Sequence, residues 1–162
     1  MQRLVREGTL IVCFLLALFL LIALLSYSPN DPGFTTTGSG NLINNSVGVY
    51  GAWIADILLH LLGYLAYSVP ALLSYKVYTS FRESQLESAF SWPLFGLRSL
   101  GFFLLTISAC GLATLHFEIA EDLPYLAGGV VGSLVIDLST PVLAALGTTL
   151  LLFAIFLFGL TI

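Results

Sequence analysis

The sequence predicts an all-α integral membrane protein with four transmembrane helices and a short membrane-associated helix before the fourth. Of its 162 residues, 58% are apolar and only 9% are charged, and the mean hydropathy is +1.01. A soluble domain carries about 25% charged residues. The composition therefore excludes an ordinary soluble enzyme, a disordered tail and a nucleic-acid-binding surface.

The apolar residues fall in four runs, each long enough to cross a bilayer. Residues 10–25 are all apolar, and with their flanking residues they form a helix of about 30 Å, the thickness of the hydrocarbon core. The other runs are interrupted by few polar residues. The predicted spans cover residues 9–27, 49–75, 97–117 and 141–162, with outer loops at 28–48 and 118–140 and an inner loop at 76–96.

The apolar segment 126–136 is too short for a fifth span. Eleven helical residues cover roughly half a bilayer, so this segment predicts a short helix that enters or lies on the membrane. Gly128 and Gly132 place small side chains on one face, which favours close packing against another helix or another subunit. Pro141 suits the first turn of a helix, so the fourth span is predicted to start there.

The positions of the basic residues predict the orientation. Arg3 and Arg6 precede the first span, whereas Lys76, Arg82 and Arg98 lie between the second and third spans. Because basic residues are enriched on the cytoplasmic side, both termini are predicted to be cytoplasmic. All five bases then lie on the inner side and six of the nine acids on the outer side. The five bases are too scattered to predict a dedicated lipid-binding cluster.

No residues in the sequence match a catalytic, cofactor or metal site. Cys13 and Cys110 lie within predicted spans, and the two histidines, His60 and His116, lie in different spans without the spacing of metal ligands. A phosphate-binding P-loop requires Gly-x-x-x-x-Gly-Lys-Ser/Thr, but the single lysine, Lys76, follows Ser-Tyr. The segment is therefore predicted to bind neither ATP nor magnesium.

Asp56 and His60 are the ionisable pair inside the second predicted span. Their i, i+4 spacing places them on one helix face, which allows two interpretations. In the first they serve helix packing or contacts between subunits. In the second they form the proton path of a small multi-span transporter or channel, gated at a kink predicted at Pro70. An intramembrane enzyme would need a paired nucleophile and base, and no such set is found.

The first outer loop carries the most distinctive motif, Ser-Pro-Asn-Asp-Pro-Gly-Phe at residues 28–34. Each proline fixes a backbone angle, and the Asn and Asp side chains can bond to the nearby main chain. The motif therefore predicts a defined turn directly above the first span. The residues predicted to be presented to partner proteins are Pro29, Asp31, Pro32 and Gly33.

Three segments in this order resemble a known family. They are Leu-Ser-Tyr-Ser-Pro-Asn-Asp-Pro-Gly-Phe at residues 25–34, Asn-Asn-Ser-Val-Gly-Val-Tyr-Gly-Ala-Trp-Ile-Ala-Asp at 44–56, and Gly-Tyr-Leu-Ala-Tyr-Ser-Val-Pro at 63–70. Together with the glycines at 128, 129 and 132, this pattern resembles the N-terminal four-span domain of the FtsK/SpoIIIE DNA translocases. The resemblance covers most of residues 10–162.

The resemblance implies a bacterial division factor in the inner membrane at the septum. It implies contacts with other cell-division membrane proteins and self-association, with a downstream hexameric motor that pumps DNA using ATP and magnesium. No direct nucleic acid contact is expected in these 162 residues. The chain ends inside or barely beyond the hydrocarbon without a basic flank, which also predicts more protein downstream. The transporter alternative predicts a protein that ends near Ile162.

Overall fold

The computed structural model describes residues 2–38, 43–82, 92–118 and 123–162. This part of the chain contains five α-helices and no strand. They are α1 (Gln2–Leu25), α2 (Gly48–Leu62), α3 (Ser68–Arg82), α4 (Trp92–His116) and α5 (Gly129–Thr161). Four stretches of the described helices are long and apolar enough to cross a membrane: Glu7–Leu25, Gly48–Thr79, Gly96–His116 and Gly129–Thr161. The predicted fold class is confirmed.

The chain divides into two compact units. The first comprises Met1–Asp56 and Tyr67–Ala89, and in it α1 packs against α3. The second comprises Ile57–Ala66 and Phe90–Ile162, and in it α4 packs against α5. Small side chains such as Ala23 and Ala55 are buried, whereas large apolar ones such as Phe14 and Leu146 are exposed. This distribution is the one that lipid-surrounded helices require, because small residues allow close helix packing.

The second membrane stretch is broken between α2 and α3, and the predicted kink at Pro70 is misplaced. Residues Gly63–Tyr67 form a 3₁₀ turn, and Gly63 has a φ of 58°. Pro70 lies in the first turn of α3, where its missing N–H breaks no hydrogen bond of that helix, because the residue four positions earlier, Ala66, lies before the helix begins. The break therefore comes from the glycine, and the proline starts the next helix.

The fourth membrane stretch, α5, is kinked at Ala144 rather than started at Pro141. Ala144 has φ 54° and ψ 173°, so its carbonyl departs from the helix direction. Pro141 lies three residues earlier within the helix and cannot donate to the Asp137 carbonyl. Thr148 would normally donate its hydroxyl to the Ala144 carbonyl, but that buried hydroxyl has no partner among the described residues. Residues 129–143 thus form the short helix before the kink.

Substituting Ala144→Gly is expected to raise the free energy of unfolding by about 1 kcal/mol, because this φ/ψ combination is strained for any residue with a Cβ atom. Ala145→Gly is the matched control. Ala145 has ordinary helical geometry, so its replacement should lower the free energy by about the same amount. Thermal unfolding in detergent measures both changes. Destabilisation of equal size by the two substitutions would contradict the strain at Ala144.

Candidate functional site

The loop between α1 and α2 (residues 26–47, the α1–α2 loop) is held by the carboxylate of Asp56. Asp56 is 1% exposed. Its Oδ2 accepts a hydrogen bond from the Thr35 backbone N–H at 2.6 Å, and both of its oxygens accept from the Thr35 hydroxyl at 2.9 Å. The Tyr27 hydroxyl donates to Oδ1 at 3.2 Å. A buried acid on α2 is therefore satisfied by donors from the loop.

Gly33 is the position where the loop passes closest to Asp56. A Cβ atom on Gly33 would lie 2.7 Å from the Asp56 Oδ2 atom, so a larger residue fits only if the Asp56 side chain or the loop backbone moves. The Gly33 N–H donates to the Thr36 carbonyl at 2.8 Å, which closes a tight turn with Phe34 and Thr35 at its tip. The glycine in the Asp-Pro-Gly motif is thus required by the contact with α2.

A second buried carboxylate, Asp31, organises the other half of the loop. Asp31 is 2% exposed. Its Oδ1 accepts from the backbone N–H of Asn44 at 2.8 Å, and its Oδ2 accepts from the backbone N–H of Asn45 at 2.8 Å. The Asp31 carbonyl accepts from the Thr36 hydroxyl at 3.0 Å. Hydrogen bonds to a charged acceptor are the stronger kind, so Asp31 fixes the two ends of the loop together.

Asn45 joins the loop to the end of α1. Its side-chain amide donates to the Ala23 carbonyl at 2.8 Å and to the Ser26 carbonyl at 3.2 Å. Its Oδ1 accepts from the Val47 N–H at 3.0 Å. The last carbonyls of a helix lack partners within it, and in a membrane each unsatisfied group is costly. Asn45 therefore caps the C-terminal end of α1 and also fixes the turn that precedes α2.

The exposed surface of the described part of the loop includes an aromatic residue. Pro29, Asn30 and Phe34 are exposed, whereas the Asp31 carboxylate points into the loop. Phe34 packs edge-on against Trp53 of α2, with 5.6 Å between the ring centroids. Pro32 is half-buried. Of the four loop residues predicted to face partners, Asp31 and Gly33 build the loop and Pro29 lies on its surface.

The network around Asp56 makes Tyr27 a weaker acid. Burial raises the pKa of the Tyr27 phenol above its ordinary value near 10, and the negative charge of Asp56 raises the pKa further. The unfolded chain therefore loses this proton at a lower pH than the folded chain. Stability that is fully present below about pH 10 is lost as the pH rises toward the folded-state pKa.

Above pH 10, the wild-type chain is expected to lose stability by up to about 1.4 kcal/mol per pH unit through Tyr27. Tyr27→Phe removes the ionising group and with it this part of the slope. Unfolding midpoints measured between pH 9 and pH 11 for both chains test the expectation. Parallel curves for the two chains would show that Tyr27 does not ionise differently on folding.

In the second unit, Gly128 and Gly132 contact α4. A Cβ atom on Gly128 would lie 2.7 Å from the carbonyl carbon of Cys110, and one on Gly132 would lie 2.5 Å from the Cys110 carbonyl oxygen. The Thr114 hydroxyl donates to the same Cys110 carbonyl at 3.0 Å. Both glycines therefore bring two helices of one chain together.

The end of α2 meets the start of α5 through backbone atoms. The Tyr64 N–H donates to the Ala127 carbonyl at 2.8 Å. Gly63 and Gly129 have positive φ values of 58° and 64°, and a Cβ atom on Gly129 would lie 2.6 Å from the Leu62 nitrogen. These two glycines allow the main chains to pass each other without an intervening side chain.

Within the second unit, His60 packs against an aromatic residue. Its ring centroid lies 5.0 Å from that of Tyr125, with the planes tilted by 55°. Its Nδ1 atom is buried and has no hydrogen-bond partner among the described residues. The described residues contain no group of three His, Cys, Asp or Glu side chains placed to hold a metal ion.

Sequence reasoning found Asp31, Gly33 and Asp56 but missed their partners. Thr35 and Tyr27 have no pattern of their own that connects them with an acid on α2. Asn45 lies three residues before Gly48, the first residue of α2. Asn just before a helix is a known signal for a turn. That signal could have identified Asn45.

These features define a class of protein, a four-span helical membrane domain whose first two spans are joined by a loop fixed on buried acids. The family model described as the 4TM region of DNA translocase FtsK/SpoIIIE matches residues 2–162. The chain belongs to this family.

Relatives of the chain carry the name DNA translocase FtsK. The chain is 42% identical to the protein of Pseudomonas putida over 157 residues, which cover 97% of this chain and 19% of the relative. It is 41% identical to the protein of Vibrio vulnificus, and the match covers 93% of this chain and 15% of that relative. It is 37% identical to the protein of Pseudomonas aeruginosa, and the match covers 97% of this chain and 20% of that relative. The chain thus spans a fifth or less of these relatives. No solved structure matches it.

Proposed function

We propose that the chain anchors an FtsK-like DNA translocase in the bacterial inner membrane and that the α1–α2 loop binds other cell-division membrane proteins at the septum. The observation that carries the proposal is that Asp31 and Asp56 fix the loop from within. A surface that is ordered before binding loses less conformational entropy when a partner binds. Pro29, Asn30 and Phe34 are the exposed residues that offer the contact.

The chain's part in translocation is to hold a motor at the membrane. ATP, magnesium and DNA bind in the downstream motor of the whole protein, and this segment makes no direct contact with nucleic acid. Tethering raises the local concentration of motor domains and so favours their assembly into a hexamer. The proposal is supported by the match to the membrane region of the family and by the relatives, which are much longer proteins named DNA translocase.

We also propose that both termini are cytoplasmic, because the bases flank the first span and lie between the second and third. Single cysteines at Phe34, an exposed residue of the α1–α2 loop, and at Ser84, in the predicted inner loop, test the orientation. In intact spheroplasts, a membrane-impermeant maleimide should label Phe34→Cys and leave Ser84→Cys unlabelled until the membrane is permeabilised. The unsubstituted chain controls for Cys13 and Cys110. Labelling of Ser84→Cys and not of Phe34→Cys in intact spheroplasts would show the opposite orientation.

A localisation experiment tests the binding role of the loop. The chain fused to a fluorescent protein and expressed in Pseudomonas putida should concentrate at the septum. Phe34→Ala should spread evenly around the membrane, whereas Phe103→Ala should stay at the septum. Phe103 is the matched control, since it is 63% exposed on α4 and Phe34 is 62% exposed. Even distribution of the unsubstituted chain, or equal behaviour of the two variants, would contradict the proposal.

The alternative, a proton path through Asp56 and His60, has less support. Both Asp56 oxygens already accept hydrogen bonds from Tyr27 and Thr35, and a proton carrier needs an oxygen that can exchange its partner. The orphaned Nδ1 of His60 is the one observation in its favour. Proton flux into liposomes containing the chain, abolished by Asp56→Asn, would establish the channel.

A further inference from the structure

An apolar groove of about 430 Å³ lies between α1 and α3 in the first unit. Its walls include Leu10 and Phe14 of α1 and Val77 and Tyr78 of α3. The Ser74 hydroxyl, which also lines the groove, donates to the Pro70 carbonyl at 2.8 Å. Because that hydroxyl is already bonded within its own helix, the groove offers an almost entirely apolar surface.

The groove lies at the end of the unit where α1 begins and α3 ends. Its α1 residues start at Leu10, three residues inside the membrane stretch Glu7–Leu25. Its α3 residues end at Tyr78, one residue before the end of the stretch Gly48–Thr79. The groove is therefore open to the hydrocarbon just below one surface of the membrane.

Four of the five bases of the chain belong to this same end of α1 and α3. Arg3 and Arg6 lie on α1 before the groove, and Lys76 and Arg82 lie on α3 beside and after it. The fifth base, Arg98, lies on α4. In sequence the five bases looked too scattered for a lipid site, but the packing of α1 against α3 gathers four of them.

On the described residues of α1 and α3, the bases outnumber the acids. Glu7 is the single acid on the described residues of α1 and α3. Glu83 and Glu87 follow Arg82 in the sequence and lie outside the described residues. The two helices therefore carry four bases and one acid next to an apolar groove.

We propose that the groove holds one acyl chain of an anionic phospholipid, with the phosphate headgroup at the level of the four bases. An acyl chain fills an apolar groove that is open to the hydrocarbon, and basic residues near the membrane surface attract the anionic headgroup, so the charge selects which lipid is held. A second copy of this chain fits the groove less well, because two such faces in contact would bring eight bases together.

Native mass spectrometry of the 162-residue chain, titrated in detergent with dioleoylphosphatidylglycerol or dioleoylphosphatidylcholine, tests the charge. The unsubstituted chain should retain one phosphatidylglycerol and bind it more tightly than phosphatidylcholine. Lys76→Gln and Arg82→Gln should each weaken phosphatidylglycerol binding about fivefold. Arg98→Gln removes a base from another helix and should have no effect. Equal affinity for the two lipids, or an equal loss with Arg98→Gln, would overturn the proposal.

A second pair of variants tests the groove itself. Ser74→Phe fills it and should abolish the retained lipid. Thr106→Phe is the matched control, since the Thr106 hydroxyl makes the same kind of bond to the Phe102 carbonyl in α4. If Ser74→Phe instead converts a dimer to a monomer and leaves lipid binding unchanged, a second chain occupies the groove and the proposal fails. The charge variants decide the question should Ser74→Phe not fold.

Discussion

Replacing Asp56 by asparagine is expected to lower the free energy of unfolding by about 3 kcal/mol and to release the α1–α2 loop. Asparagine keeps one acceptor but replaces the other oxygen with an NH₂ group. That donor would face either the Thr35 N–H at the position of Oδ2 or the Tyr27 hydroxyl at the position of Oδ1. In the first orientation two N–H donors face each other. In the second the new NH₂ group can donate to the Tyr27 hydroxyl, but the hydroxyl proton loses its acceptor, and in both orientations the charge that strengthened the bonds is gone.

Hydrogen exchange followed by mass spectrometry measures the release of the loop, and thermal unfolding in detergent measures the stability. Peptides that contain Thr35 should exchange faster in Asp56→Asn than in the unsubstituted chain. Asp137→Asn is the control, since Asp137 is an exposed acid on α5. Unchanged exchange at Thr35 in Asp56→Asn would mean that Asp56 does not hold the loop.

Replacing Gly129 by alanine is expected to cost about 3 kcal/mol or more. The methyl group would meet the backbone of Leu61 and Leu62, which cannot move aside as a flexible side chain can. The positive φ of Gly129 adds a second penalty, because it is unfavourable for any residue with a Cβ atom. The crossing of α2 and α5 would have to open for the substitution to fit.

Gly96→Ala provides the matched control, because a Cβ atom on Gly96 would have no neighbour within 4 Å. Alanine there should be neutral or slightly stabilising in a helix. Unfolding midpoints and the yield of monodisperse protein measure both variants. Equal stability of Gly129→Ala and Gly96→Ala would contradict the close crossing of the main chains.

The fold was largely predictable from the sequence because bilayer thickness sets the length of an apolar run. Residues 10–25 had only one reasonable structure. The breaks were less predictable. Pro70 was predicted to kink a helix and Pro141 to start one, yet the chain departs from the helix at Gly63 and Ala144. The break at Gly63 is set by the close crossing of its backbone with that of residues 127–129. The local sequence around Gly63 indicates neither this contact nor its geometry.

The sequence identified the acidic residues of the candidate site but did not identify their hydrogen-bond partners. Asp31 and Asp56 stood out because acids are rare in this chain. Their roles depend on which donors the fold brings to them, and Thr35 lies 21 residues from Asp56. Asp31 was expected to face partners, whereas the structure buries it among the backbone N–H groups of Asn44 and Asn45. Buried acids that order a loop and exposed acids that bind partners have the same signature in sequence.

The hydrogen bonds of Asp31, Asn45 and Asp56 have a consequence for the order of events during synthesis. All their partners lie between Ala23 and Asp56, so the network closes within one short stretch of chain. It can form on the ribosome as soon as the beginning of α2 has emerged, before α4 and α5 are translated. Contacts between near neighbours in the chain form quickly. The loop can therefore reach its final shape while the rest of the protein is still being made.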